Sequence, residues 1–145
     1  MTNLRLDHVA VAVHAIDPAL RLFQEGLGGR YLSDGPIDAG DARGKWRWYQ
    51  MALPGGGKIE LVEPLSEGFL TKFLSKRGEG LHHITLKTDD IRASIEQVKA
   101  CGYEIVDANL DNAYWKEAFL RPKQAHGTLI QLAQTGGPEA DGEDS

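Results

Sequence analysis

The sequence predicts an α+β fold: two paired βαβββ modules forming a curved, half-open mixed barrel with helices outside. Three observations lead there. Residues 6–13 (LDHVAVAV) and 81–88 (LHHITLKT) share a leucine, a polar residue and a histidine ahead of a β-rich stretch. Each is followed by a helical pattern that stops at glycine, ALRLFQEGLGG in the first half and IRASIEQVKACG in the second. The halves also close alike, on KIELVEP (58–64) and TLIQLAQ (128–134). Self-similarity at a fixed spacing marks a duplicated supersecondary unit.

The elements follow in order. Leu4 to Val13 alternates, with His8, Ala10 and Ala12 on one face and Val9, Val11 and Val13 on the other, so it reads as a strand. Asp17 is placed to cap a helix whose first turn holds Pro18. Leu20, Leu22, Phe23 and Leu27 give that helix its apolar stripe. Arg30-Tyr31-Leu32 is a short apolar stretch. Arg43 to Leu53 alternates and is rich in aromatics, which predicts a strand. Pro54 and Gly55 to Gly57 form a turn into a returning strand over Ile59 to Glu63. Pro64 to Gly78 contains a short helix with Phe69, Phe73 and Leu74 on its apolar face. The second half repeats the order, with strands near 81–88, 103–107, 114–120 and 127–134. Residues 1–134 thus read as a single domain, with modules 4–63 and 80–134 around a linker over 64–79. Residues 135–145 are glycine-rich and acidic and read as a disordered tail.

Composition narrows the function classes. The chain has 145 residues and is 41% hydrophobic, enough for one domain with a real core. No apolar run approaches the roughly 20 residues of a membrane helix. The N-terminus lacks the features of a signal peptide. Cys101 is the only cysteine, which excludes an internal disulfide and a four-thiolate zinc site. These features predict a cytoplasmic protein. The net charge is −5, and Glu139, Asp141, Glu143 and Asp144 crowd the C-terminal end. The longest basic stretch is only Arg43 to Arg47, which argues against nucleic acid as a partner.

Four polar residues fall at matched places in the repeat. His8 and His83 are each the third residue of their opening stretch. Glu60 and Gln131 are each the polar insertion in an apolar closing strand. A carboxylate between apolar neighbours costs several kcal/mol unless it is paired or metal-bound. Two imidazoles, a carboxylate and an amide oxygen suit one divalent metal ion.

LDHVAVAV, KIELVEP, GLHHITLKTDDI and GTLIQLAQ together resemble the vicinal oxygen chelate (glyoxalase/bleomycin resistance) superfamily. Within it the sequence is most similar to methylmalonyl-CoA epimerases, with glyoxalase I as a near relative. The resemblance covers nearly all of residues 4–134. It implies one divalent metal ion per chain (cobalt, nickel, manganese, zinc or iron), proton transfer beside a metal-chelated carbonyl, and a homodimer. Carried over residue by residue, it makes His8, Glu60, His83 and Gln131 the metal ligands. Gln131 departs from the family, which places a glutamate there that also moves protons. A glutamine cannot take that proton at useful pH. Glu60 then becomes the catalytic base, or ligand and base together. Arg121-Pro122-Lys123 replaces a His-Pro-Lys common in epimerases.

Three residues are candidate substrate contacts. Lys87 alternates with His83 and Thr85, and stands either to hold a substrate carboxylate or phosphate or as an exposed strand-end lysine. Trp48 is either a pocket wall or core packing. His126 is either a loop residue or part of the mouth of the site. His14 reads as surface, His82 as packing and Cys101 as a buried small hydrophobe. The predicted activity is a metal-dependent epimerase or isomerase acting on a small molecule such as an acyl-CoA. A glyoxalase I-like lyase, an iron-dependent oxygenase and a non-catalytic drug-binding module remain open at this level.

Overall fold

Duplication of the βαβββ order is visible in the element sequence. The computed structural model describes residues 3–136. Strand β1 (Arg5–Ala12) leads into α1 (Ile16–Leu20), which widens into a π-helical stretch over Arg21–Gly26. Strands β2 (Arg30–Asp38), β3 (Lys45–Ala52) and β4 (Lys58–Pro64) complete the first module. After α2 (Phe69–Arg77) come β5 (Gly80–Lys87), α3 (Ile91–Ala100), β6 (Val106–Asn109), β7 (Trp115–Leu120) and β8 (Leu129–Thr135). The class is α+β with mixed strand pairing.

The chain divides into two compact units. One holds residues 8–82; the other joins the residues up to Asp7 with those from His83 onward. In the first unit the strand order is β2-β3-β4-β1. β1 runs parallel to β4, while β2, β3 and β4 are antiparallel in turn. Side chains alternate across a pleated sheet, and the two faces are packed differently. Val13, Tyr49, Met51 and Leu61 bury one face under Ile16 and the helix that follows it. On the other face Ala12 and Val62 meet Leu70 and Leu74 of α2, with Trp46, Trp48, Phe69 and Phe73 packed beside them. The predicted division of Trp46 and Trp48 from Tyr49 is what the packing uses.

In the second unit the order is β5-β8-β7-β6, with β5 parallel to β8 and the rest antiparallel. Ile91 and Ile95 of α3 cover one face, against Ala118, Leu120 and Leu132. One face of each sheet is therefore closed by the helix that follows the module's first strand.

Several local readings need correction. Asp17 does not cap α1, which starts one residue earlier at Ile16, with Ala15 at the cap position and no side-chain cap. The acceptor comes from elsewhere: the Ile16 N–H donates to Glu63 Oε1 at 2.6 Å. The same device recurs in the second module, where the Ile91 N–H donates to Gln134 Oε1 at 2.9 Å. There Asp90 also caps conventionally, accepting from the Ala93 N–H. Strand β2 extends to Asp38, well past the apolar stretch at 30–32. Gly35 and Pro36 hide it in the sequence, but β2 is an edge strand, where proline is tolerated. A Cβ at Gly35 would already touch the Trp48 ring at 3.4 Å. β6 begins at Val106 and not near 103. Cys101 is exposed, not buried, because it ends α3 beyond that helix's packed face. β8 runs to Thr135, and the Gly136 N–H donates to the Tyr114 carbonyl at 3.2 Å. The remainder of the predicted tail, 137–145, lies outside the described residues.

Candidate metal and proton-transfer site

His8 sits on β1 two residues before Ala10, and Ala10 is in register with Glu60 on the parallel neighbour β4. Alternation therefore puts both side chains on one sheet face, one pleat apart. His8 Nε2 and Glu60 Oε2 lie 2.5 Å apart, with side-chain exposures of 4% and 12%. Gln50 on β3 is in register with Glu60 and donates from Nε2 to Glu60 Oε2 at 3.4 Å. This polar group occupies one end of the face, and the α2 cluster with Ala12 and Val62 occupies the other. His82 packs its ring against Phe69 and Phe73, with centroids 5.3 and 4.9 Å away. Burial holds its imidazole down at about 4, against a smaller upward pull from the Glu60 carboxylate. His82 is thus a packed neutral ring, and His14 is exposed.

The second unit repeats the register. His83 sits on β5 two residues before Thr85, and Thr85 is in register with Gln131 on the parallel neighbour β8. The fully buried Thr85 donates from Oγ1 to Gln131 Oε1 at 2.7 Å. Gln131 Nε2 in turn donates to Glu117 Oε1 at 2.9 Å, and the Trp115 indole N–H donates to the same oxygen at 2.8 Å. The amide's orientation is assigned from this network.

The three candidate substrate contacts fall in different surroundings. Lys87 is not an exposed strand-end lysine. It is buried, with Nζ 3.4 Å from Oδ1 of the equally buried Asp7. Trp48 shares the Glu60 face and packs against the α2 cluster. His126 is exposed in the turn before β8, with a positive φ of 55°.

Sequence reasoning misses Gln50 and Glu117. The signal for Glu117 was present: it is a carboxylate inside the apolar strand WKEAFL, two residues from Trp115. Asp7 was equally legible as a charged residue in an alternating strand, but its partner lies 80 residues on.

The His8–Glu60 pair passes a chemical test for a metal. An imidazole nitrogen and a carboxylate oxygen converge in a nearly water-free position, and that donor mixture suits a divalent transition ion. Among the described residues no buried side-chain nitrogen or oxygen lacks a hydrogen-bond partner.

Fold and site define a duplicated βαβββ protein with a buried histidine–carboxylate pair on a sheet face. The chain belongs to the Glyoxalase/Bleomycin resistance protein/Dioxygenase superfamily, whose profile matches residues 7–119. It is 34% identical over 135 residues to the ethylmalonyl-CoA/methylmalonyl-CoA epimerase of Cereibacter sphaeroides, covering 90% of this chain and 97% of that protein. It is 31% identical over 134 residues to the mitochondrial methylmalonyl-CoA epimerase of Mus musculus, covering 90% of this chain and 72% of that one. The crystal structure of methylmalonyl-CoA epimerase from Mycobacterium tuberculosis superposes with a TM-score of 0.78 at 30% identity, covering 94% of this chain and 91% of that one. The chain is an enzyme of this superfamily, of the epimerase or isomerase kind. No helix among the described residues is long and apolar enough to cross a membrane.

Proposed function

We propose that this protein epimerises a short branched acyl-CoA carrying a second carboxylate, of the methylmalonyl-CoA or ethylmalonyl-CoA type. The observation that carries the reading is the buried His8–Glu60 pair at 2.5 Å, in a chain one-third identical to an epimerase of that name over nine-tenths of its length. His8, Glu60, His83 and Gln131 would hold one divalent metal ion. His83 and Gln131 enter because they occupy in their module the register positions that His8 and Glu60 occupy in theirs. A divalent ion supplies Lewis acidity, drawing charge from a carbonyl while the neighbouring proton leaves.

The chain's own residues do the rest. Glu60 takes the α-proton of the acyl group onto its carboxylate. Gln50 fixes that carboxylate by donating to Oε2. Trp48 stands on the same face beside Val62, in the cluster under α2. Burial of His8 and Glu60 excludes water that would otherwise solvate the developing charge. We further propose a cytoplasmic homodimer acting on a small molecule, in keeping with the single cysteine and the absence of a basic surface run.

The test is metal content and proton exchange together. Wild-type protein purified without chelator is expected to carry about one metal per chain and to incorporate solvent deuterium at the α-carbon of methylmalonyl-CoA. Glu60→Gln should lose that exchange, by roughly 100-fold or more for removal of a general base. Wild-type protein that takes up none of cobalt, nickel, manganese, zinc or ferrous iron would end the metal assignment.

A further inference from the structure

On the sheet face that carries His8 and Glu60, side chains stand in rows across the strands. Ser33, Gln50, Glu60 and Ala10 are in register in one row. Gly35, Trp48, Val62 and Ala12 are in register in the next, one pleat or roughly 7 Å further along. Ile37, Trp46 and Pro64 follow in a third. Ser33, Gln50 and Glu60 make the first row polar. In the second, Ala12 and Val62 are buried with Leu70 and Leu74 of α2. Trp48 stands where the polar end meets the covered end, and it is only half-buried. All these residues belong to the unit of residues 8–82.

The indole of Trp48 has a shaped seat. Its ring lies over Gly35 of β2, where a Cβ would meet Cζ2 at 3.4 Å and Cε2 and Nε1 at 3.5 Å. Gly35 is not among the glycines with a positive φ, so the backbone does not demand glycine there. What the missing side chain supplies is room for the ring, and any branch beyond Cβ would lift the indole off the strand. Trp48 also packs against the Ala12–Val62 cluster. A ring supported on two sides is a fixed wall, because a densely packed interior yields little. On the other side of Glu60, two residues earlier on β4, the same face carries Lys58.

We infer that Trp48 is the residue that sets the largest α-substituent the enzyme accepts. The inference rests on the epimerase reading given above and deepens it to a substrate class: malonyl-type thioesters with a methyl or ethyl group at the α-carbon. With the α-carbon at the His8–Glu60 pair, the two groups it carries beside the thioester are sorted by polarity along β4. The carboxylate has a cation on the Lys58 side. The alkyl group has the indole on the other side. Beyond the indole α2 closes the face, so the alkyl group can lengthen only until it meets the ring. One methylene against an apolar wall changes kcat/KM by about 10- to 200-fold, which makes an n-propyl chain the first to be refused.

The experiment measures kcat/KM for epimerisation of methyl-, ethyl- and n-propylmalonyl-CoA by wild type, Trp48→Leu, Trp46→Leu and Gly35→Val, with folding checked by circular dichroism. Wild type is expected to favour methyl over n-propyl by about tenfold or more. Trp48→Leu should raise the n-propyl-to-methyl ratio by about tenfold. Trp46→Leu removes an equal ring one row further from Glu60 and should leave the ratio unchanged. Gly35→Val keeps the indole but lifts it off β2, and should lower the ratio; it decides the matter if Trp48→Leu fails to fold. A ratio within about twofold of wild type in the deciding variant would overturn the assignment while leaving the epimerase reading intact. So would an equal rise in Trp46→Leu, or a wild type that takes all three thioesters equally well. Wild-type protein that epimerises none of them would sink the epimerase reading and this inference with it.

Discussion

His82 and Lys87 are single residues whose environments set measurable behaviour. Packing between Phe69 and Phe73 keeps the His82 imidazole neutral down to about 4, below its ordinary 6.5. The unfolded chain takes up that proton at about 6.5, so between the two values it binds more protons than the folded one. Stability from this group is therefore full above about 6.5 and falls as pH drops towards 4, by roughly 3 kcal/mol in all. Urea unfolding between pH 7 and 4.5 should show this loss in wild type and a shallower one in His82→Phe, which keeps a ring in place. Equal losses in both proteins would remove His82 as the cause. Lys87 is paired with Asp7 in surroundings nearly closed to water. Removing one partner strands the other charge, and Lys87→Met is expected to cost about 3 kcal/mol. A urea midpoint unchanged by that substitution would show the pair to be expendable.

At the scale of elements, the start of a helix is fixed in this chain by strands far away in sequence. Glu63 of β4 accepts from the first N–H of α1, and Gln134 of β8 accepts from the first N–H of α3. Each acceptor lies three residues after Glu60 or Gln131 on the same strand, so the closing strand both presents that residue and anchors the helix behind it. Glu63→Ala should cost about 1–2 kcal/mol by leaving the N–H of fully buried Ile16 without its acceptor. Gln134→Ala should cost less, because Asp90 also serves α3; hydrogen exchange at each helix start would compare them. The entry to α2 depends on close backbone approach. A Cβ at Gly68 would stand 1.9 Å from the Arg43 carbonyl oxygen, whereas one at Gly80 meets nothing within 4 Å. Gly68→Ala is expected to lower stability by about 1–3 kcal/mol through overpacking, with Gly80→Ala close to neutral. The π-helical stretch after α1 arises similarly at the level of backbone fit: the Leu27 N–H reaches back to the Leu22 carbonyl at 2.8 Å, five residues away.

At the scale of the whole molecule, the proposed metal site ties ion binding to folding. An ion that binds the folded chain alone at 100 times its dissociation constant adds about 2.7 kcal/mol. For a chain of this size that corresponds to a rise of roughly 5–10 °C in Tm. Thermal scans with and without chelator should differ by that amount in wild type and by little in His8→Ala. A wild-type Tm indifferent to chelator and to added metal would count against the site.

The repeat was legible in the sequence because duplication preserves position. His8 with His83, and Glu60 with Gln131, could be matched from spacing alone, and the strand registers place them equivalently. Alternation likewise sorted Trp46 and Trp48 from Tyr49, since the β period of two is a local property of the chain. Other features were not local. Asp17 has the chemistry of a cap, yet Glu63 takes that role from 47 residues away. Pro36 and Gly35 disguise an edge strand whose pairing supplies what its own composition lacks. Glu117 looks like any strand glutamate until Gln131 and Trp115 are seen to hold it. The class of fold and the duplicated order could be read along the chain, because periodicity and repeat spacing are local properties of one sequence. Which carboxylate each donor serves, whether Lys87 is wet or buried, and where α1 begins all depend on partners brought together from distant strands, and emerge only once the chain is folded.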